Sequence, residues 1–220
     1  MAVWYEEIPQ MKKNTLAIKK GWILFCAFLM VLTPFDISLS ASLDRIRTES
    51  GKTTSFIADF VQEKHLKILD HPFISTGVFY FQAPDSIRWE YLSPIHSILL
   101  VNHGVTKHYV KTGHGFEEDK SARFQSVMQF VFQEIGLWIR GRFADDPVFR
   151  VHKGTKNRID LIPKDKGMSM MIKRIELDFS DKPGIINSIM IIEGDGSYTI
   201  MKFTKVSRNV KIDKKLFSKI

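Results

Sequence analysis

The stretch from Gly77 to Pro94, GVFYFQAPDSIRWEYLSP, constrains the fold more than any other part of the chain. Gly77, Phe79 and Phe81 share one parity, and Val78, Tyr80 and Gln82 share the other. After Ala83-Pro84-Asp85-Ser86, a second run places Ile87, Trp89 and Tyr91 on one face and Arg88 and Glu90 on the opposite face. Alternation with period two, broken by Pro-Asp, reads as two antiparallel strands joined by a tight turn. Six large aromatics (Phe73, Phe79, Tyr80, Phe81, Trp89 and Tyr91) fall within this hairpin and its approach. A sheet face with that much aromatic surface has to be covered by a helix, another sheet or a ligand.

The same period recurs along the chain. A short helix is expected over Ala41–Thr48, with Leu43 and Ile46 on one side, Ser42 as its cap and Gly51 as its stop. Strands are expected over Thr54–Leu66, Ser97–Val101 and Val105–Lys111, with turns at Asn102–Gly104 and Thr112–Gly115. The period then changes. Phe124, Val127, Met128, Val131, Ile135 and Trp138 follow three-to-four spacing, which predicts a helix over Ser121–Ile139. Phe130, Phe132 and Leu137 widen its apolar stripe beyond one ordinary face, as in a helix buried on several sides or touching a ligand.

Strand signals resume at Val148–His152, Arg158–Ile162, Met170–Phe179, Ile185–Glu193 and Tyr198–Val206, with a short last piece at Leu216–Phe217. Glu193-Gly194-Asp195-Gly196 is a hairpin turn. Regularly spaced antiparallel strands interrupted by one helix predict a mainly β fold, a strongly curved sheet or unclosed barrel holding that helix.

The ends bound where this domain works. Lys12-Lys13 and Lys19-Lys20 precede an apolar run, Trp22–Leu32, too short to span a bilayer, with Pro34 and the small residues Ser38, Ser40 and Ala41 after it. That is the pattern of a secretory signal peptide over residues 1–40, cut after Ser40, with Met11 as the expected true start. The folded domain is then residues 41–220, exported to the periplasm. Cys26, the sole cysteine, lies in the leader, so the mature chain holds no disulfide, thiolate metal site or cysteine nucleophile. The net charge of +8 favours anionic partners, but the basic residues are dispersed and form no nucleic-acid motif.

Catalytic chemistry is not expected. The spacing of His103 and His108 matches no standard metal geometry. Asp145-Asp146 precedes Pro147 and reads as a turn. Ser55 and Ser97 lack a nucleophile elbow, and Gly104, Gly113 and Gly115 are turn glycines rather than a phosphate loop. The reading is a non-enzyme without metal or cofactor.

An ordered set of segments resembles the periplasmic lipoprotein carrier family LolA. SFIADFVQ (Ser55–Gln62) is followed by GVFYFQAP (Gly77–Pro84), IRWEYLSP (Ile87–Pro94) and ILLVNHG (Ile98–Gly104). IDLIPKD (Ile159–Asp165) and the stretch Ile175–Phe217, with Asn209 and the final Phe217, complete it. The resemblance implies an unclosed antiparallel barrel lidded by helices over an apolar cavity. It implies a carrier that takes acylated lipoproteins from an inner-membrane releasing transporter to an outer-membrane receptor, working as a monomer. The residues matching the cavity-facing strand are Ile87, Trp89 and Tyr91, to which Phe79, Phe81, Leu100, Met128 and Val131 are added as lining. Where the family carries an arginine that latches the lid, this chain has Ala83, and the parity of Arg88 turns it to the other face. Two alternatives stay open on the same scaffold: a binding protein for another lipid or glycolipid, and a structural or sensor module whose aromatic face is ordinary core.

Overall fold

The computed structural model describes residues 37–120, 134–143, 146–182 and 184–220. The expected leader lies outside these residues, as does the part of the expected helix that contains Met128 and Val131. The fold is that of the unit Leu39–Ile220.

Eleven strands form one sheet: β1 (Ser55–His65), β2 (Phe73–Gln82), β3 (Ser86–Ser93), β4 (Ser97–Asn102), β5 (Val105–Thr112), β6 (Gly115–Glu118), β7 (Phe149–Lys153), β8 (Arg158–Pro163), β9 (Ile172–Phe179), β10 (Ile186–Glu193) and β11 (Tyr198–Arg208). Their order is β6-β5-β4-β3-β2-β1-β11-β10-β9-β8-β7, with every neighbouring pair antiparallel. Only β1 and β11 are joined out of sequence, which closes the chain's two meanders into one surface. β6 and β7 remain as free edges, so the barrel is unclosed.

The curvature has local causes. Register slips occur in the β1/β11, β2/β3 and β9/β10 pairings. The first of these lies opposite Lys205, whose φ is 50°. An extra residue at such a point bends its strand and sharpens the twist.

Alternation in sequence becomes alternation in burial. On β1, Phe56, Ala58 and Phe60 are buried, while Ile57, Asp59 and Val61 are half-buried. Strand β4 departs from this because both its faces are covered. Leu99 and Val101 join the concave core. Ile98 and Leu100 face the convex side, where the 3-10 turn Lys214–Phe217 lies over the sheet with Phe217 buried.

Four expectations change. The helix at the start runs over Ile37–Gly51, so Ser42 lies inside it rather than at its cap, and the expected cut after Ser40 falls within it. Gly115–Glu118 is an edge strand rather than only a turn. Lys166–Met171 is a short helix, because Asp165 caps it by accepting from Met168 N, and the strand that follows starts at Ile172. Leu216–Phe217 belongs to the 3-10 turn, which Asp213 caps by accepting from Lys215 N, and not to a strand.

Gly77 shows how tightly the aromatic face is built. It is paired with both Phe60 and Tyr91 across the sheet. The Phe60 ring lies over it, so that a Cβ at Gly77 would come within 2.7 Å of ring carbons and would also overlap Glu90 O. Replacing Gly77 by alanine is expected to cost about 1–3 kcal/mol or more through forced displacement of Phe60. Urea unfolding should show a lowered midpoint at unchanged slope. A midpoint equal to wild type would show that Phe60 does not depend on this gap.

Candidate functional site: the aromatic interior and its helix

The concave face is lined by an aromatic cluster centred on Trp89. Phe79 is its direct cross-strand partner, with ring centroids 4.9 Å apart. Phe60 approaches to 4.9 Å and Phe203 to 6.3 Å. Phe56 extends the cluster through an edge contact with Phe79 at 6.0 Å, and Tyr91 extends it through Phe60 at 5.2 Å. These tilted and edge-on pairs each contribute about 0.5–1.5 kcal/mol beyond the area they bury. Tyr91 marks the end of the dry region. Its hydroxyl donates to Gln62 Oε1 at 2.7 Å. Burial pushes its phenol above the ordinary tyrosine range, with hydrogen bonds to Trp89 and Gln62 acting the other way.

Helical residues 134–139 cover this wall. Ile135, Trp138 and Ile139 are buried in the same core as Trp89, Phe79 and Phe81. Gly136 permits the close approach, since a Cβ there would stand 3.1 Å from the Phe81 ring and 3.4 Å from Ile87 Cδ1. At the helix edge, Leu137 and Gly136 meet Ile87, Val101 and the two turns at Pro84-Asp85 and Gly104 around a cavity of about 310 Å³. Among the described residues, the buried Trp138 Nε1 has no hydrogen-bond partner. Beyond the helix, Arg140 Nη1 donates to Pro84 O at 3.4 Å. A cationic contact between helix and hairpin turn therefore exists beside Ala83, carried by the helix side rather than the strand side.

The residues expected to line the site separate into groups. Ile87 lines the cavity. Phe79, Phe81 and Trp89 form the buried wall, with both phenylalanines on the inward parity. Tyr91 sits further along the same face, half-buried. Leu100 is a correction: it pairs with Arg88, and the pleat turns both to the convex side. There it borders a second cavity of about 360 Å³ with Tyr109 and Phe217. Met128 and Val131 are outside the described residues.

Arg88 is as expected on the opposite face from Trp89, yet it is buried. Its Nε donates to Glu90 Oε2 at 2.8 Å, and its Nη1 donates to Leu216 O and Lys219 O at 3.2 and 3.0 Å. His96 completes the group on Glu90 Oε1 at 2.9 Å. Burial disfavours the Glu90 carboxylate, but hydrogen bonds from His96 and Arg88 outweigh it and hold its pKa below the ordinary range. This group pins the C-terminal segment to the back of the wall. Asp146 is a turn residue as expected, accepting from Val148 N and Phe149 N. Among the described residues no cluster of three His, Cys, Asp or Glu side chains has the arrangement to hold a metal ion.

Sequence reasoning missed Glu134, Leu137 and Arg140 as a group. The signal was present in their shared helix, but only the seating of Gly136 on Phe81 shows which residues meet the hairpin turn.

Fold and site together define a class: an unclosed antiparallel barrel whose aromatic concave face is covered by a helix. Residues 51–219 match the family model described as outer membrane lipoprotein carrier protein LolA, and the chain belongs to that family. Comparison with curated proteins finds no match. Among solved structures, a LolA superfamily protein from Nitrosomonas europaea is 9% identical at a TM-score of 0.47, over 82% of this chain and 97% of its own. The MucA/MucB complex of Pseudomonas aeruginosa gives 15% identity and a TM-score of 0.45, over 81% of this chain and 59% of that one. Mycobacterium tuberculosis lipoprotein LppX gives 11% identity and a TM-score of 0.40, over 81% and 100%.

The seat of the helix is expected to respond to pH. Burial, aided by the charge of Asp146, pushes the Glu134 carboxyl up to about 7. Exposed, it would titrate near the ordinary value of about 4.3. Between those values the seated state binds more protons than the displaced one, so rising pH weakens seating. Amide protection over residues 135–139, corrected for intrinsic exchange, is expected to be higher at about pH 5 than at about pH 8. Glu134→Gln should remove most of that difference. Protection that ignores pH in the wild type would refute the coupling.

Proposed function

We propose that this chain is a periplasmic carrier that binds the acyl chains of lipoproteins against its aromatic concave face and moves them from the inner to the outer membrane. The role is one of binding and release, without catalysis. The observation that carries it is the seal: Ile135, Trp138 and Ile139 of the helical residues 134–139 cover the wall from Phe81 to Trp89, with a cavity at their edge. Ligand pockets run from about 300 to 1,000 Å³. A cavity of about 310 Å³ stands at the lower end of that range, so a pair of long acyl chains requires the helix to move.

The energetics suit a carrier. Each methylene removed from water contributes about 0.8 kcal/mol, so two long acyl chains represent on the order of 20 kcal/mol gross. Release is possible only if something else covers the wall afterwards. Ile135, Trp138 and Ile139 are that competitor: cargo entry exposes them and cargo departure buries them again. Among the described residues the Trp138 indole N–H is an unmatched donor in the interior, and an acyl ester carbonyl offers a possible acceptor. Family membership supports the lipoprotein class of cargo. The releasing transporter and the receptor belong to the same reading.

A second reading keeps the site and changes the cargo to a free lipid or glycolipid. Ala83, in place of the family's latch arginine, and the contact from Arg140 to Pro84 O instead favour it, because opening then depends on different groups.

Native mass spectrometry of the full chain purified from the periplasm of its host separates the readings. Co-purified acylated protein supports the lipoprotein carrier, free lipid supports the second reading, and nothing bound counts against both. Leu137→Asp, half-buried at the entrance, is expected to weaken binding of a fluorescent acyl probe roughly tenfold, equal to ~1.4 kcal/mol. Unchanged affinity would place the entrance elsewhere.

A further inference from the structure

The strands run between two ends of the sheet, and the two ends differ. One end carries the β2–β3 and β4–β5 turns, the cavity beneath Leu137, and the end of the N-terminal helix, where Arg208 Nη2 donates to Glu49 O at 2.9 Å. The other end carries the β1–β2 loop, the β3–β4 loop, the β10–β11 turn and the Lys166–Met171 helix.

Among the described residues, eleven large hydrophobic side chains are exposed, and eight of them lie at this second end. Ile68 and Leu69 lie on the β1–β2 connection, and Phe73 and Ile74 open β2 beside it. Leu92 ends β3, and Ile95 lies on the β3–β4 loop. Met170 and Met171 close the helix before β9. Ile68 is 88% exposed, Met170 75% and Ile95 63%, so these are protruding tips rather than partly packed core.

The loops form one continuous rim. Lys67 N donates to Ser197 Oγ at 3.2 Å, tying the β1–β2 loop to the β10–β11 turn. Gly194 N donates to Met171 O at 2.9 Å, tying that turn to the methionine pair. The β3–β4 loop is next to the β1–β2 loop through the pairing of β2 with β3.

Cations flank the tips. Lys67 on the β1–β2 connection, Lys166 at the start of the short helix and Lys173 at the start of β9 are exposed at this end. Two of the neighbouring acids are turned to the backbone: Asp165 accepts from Met168 N, and Asp195 accepts from Ser197 N and Oγ. Apolar tips on separate loops do not make the flat, mutually complementary surface that a second copy requires. They suit a fluid partner that moulds around each tip. Apolar side chains entering the acyl boundary, with lysines at headgroup level, are the pattern of an interfacial membrane contact. The net charge of +8 adds long-range attraction to an anionic leaflet.

We propose that this rim is a membrane-docking surface, through which the loop tips at Leu69, Ile95 and Met170 enter the interface of a bilayer carrying anionic headgroups. The inference stands on residues separate from the interior site and gives the lipid carrier a defined orientation at a membrane.

The test reads which residues enter lipid, so it is indifferent to whatever the first 36 residues do. In the full chain carrying Cys26→Ser, a single environment-sensitive nitrobenzoxadiazole label is placed at Leu69→Cys, Ile95→Cys or Met170→Cys. Val105→Cys, also exposed but at the opposite end, is the control. Vesicles of phosphatidylglycerol and phosphatidylethanolamine are expected to shift the three rim labels to the blue with a several-fold rise in intensity. The label at position 105 should not respond, and phosphatidylcholine vesicles should give a several-fold weaker response at the rim. The pair Ile68→Glu and Leu69→Glu should abolish the shift at positions 95 and 170 while leaving acyl-probe binding intact. Silence at the rim, or an equal response at all four positions, overturns the proposal. So does a blue shift that needs no vesicles and grows with protein concentration, which would assign the rim to self-association. Rim insertion without acyl-probe binding would leave the docking surface standing and reject the carrier reading instead.

Discussion

Everything in this molecule depends on how a concave sheet lined with aromatic rings is kept dry. Trp89, Phe79, Phe60, Phe56 and Phe203 form one connected set of ring contacts on a surface bent by register slips. A curved sheet cannot bury its own concave face, because the strands diverge from the axis they enclose. The face must be filled by something that is not sheet. Ile135, Trp138 and Ile139 supply that filling, buried in the same core as the wall, so each side loses its cover if the other moves away. That dependence makes exchange with an acyl chain conceivable: the helix holds its place by the same burial that cargo would offer.

The convex side shows the opposite strategy. Arg88 shares the strand with Trp89 but faces away, and it is satisfied by Glu90 and by two carbonyls of the C-terminal segment. Buried charge held by fixed partners resists displacement, because removing one partner strands the other. Asn209 does similar work where β11 ends, accepting from Thr54 N at 2.8 Å and Thr54 Oγ1 at 3.1 Å to join the last long strand to the first. The back of the sheet is therefore fastened by directional bonds, and the front by non-directional apolar contact. A wall fixed from behind can keep its shape while its cover moves.

Period-two alternation made the strands legible, including the parity that sends Ile87, Trp89 and Tyr91 inward and Arg88 outward. Continuous apolar character in SILLV fits the strand covered on both sides that the structure shows, but does not say what covers the second side. Leu100 was assigned inward for that reason, and the cover proves to be Phe217, over a hundred residues away. The Lys166–Met171 helix was hidden because Met168, Met170 and Met171 also suit a strand. Asp165 decides the matter locally by capping, which outweighs side-chain preference over so short a span. The interior site was legible as composition and not as geometry. Aromatic load pointed to a surface needing a cover, whereas the meeting of Gly136 with Phe81 and of Arg140 with Pro84 O depends on how the chain folds back.

On the proposed reading, the two ends of the sheet divide the labour of handling a lipid. The end with Pro84, Gly104 and Leu137 holds the entrance and the groups able to respond to it, Glu134 and Arg140. The end with Ile68, Ile95 and Met170 holds apolar side chains that burial in the fold has left unused. A chain selected only for a dry core would gain nothing by leaving eight large hydrophobics exposed at one end of the sheet, and it would risk aggregation. Retaining them makes physical sense if those loops spend part of their time in a medium where apolar tips are no liability. A bilayer interface is such a medium, and it is also where a molecule carrying acyl chains has to begin and end its journey.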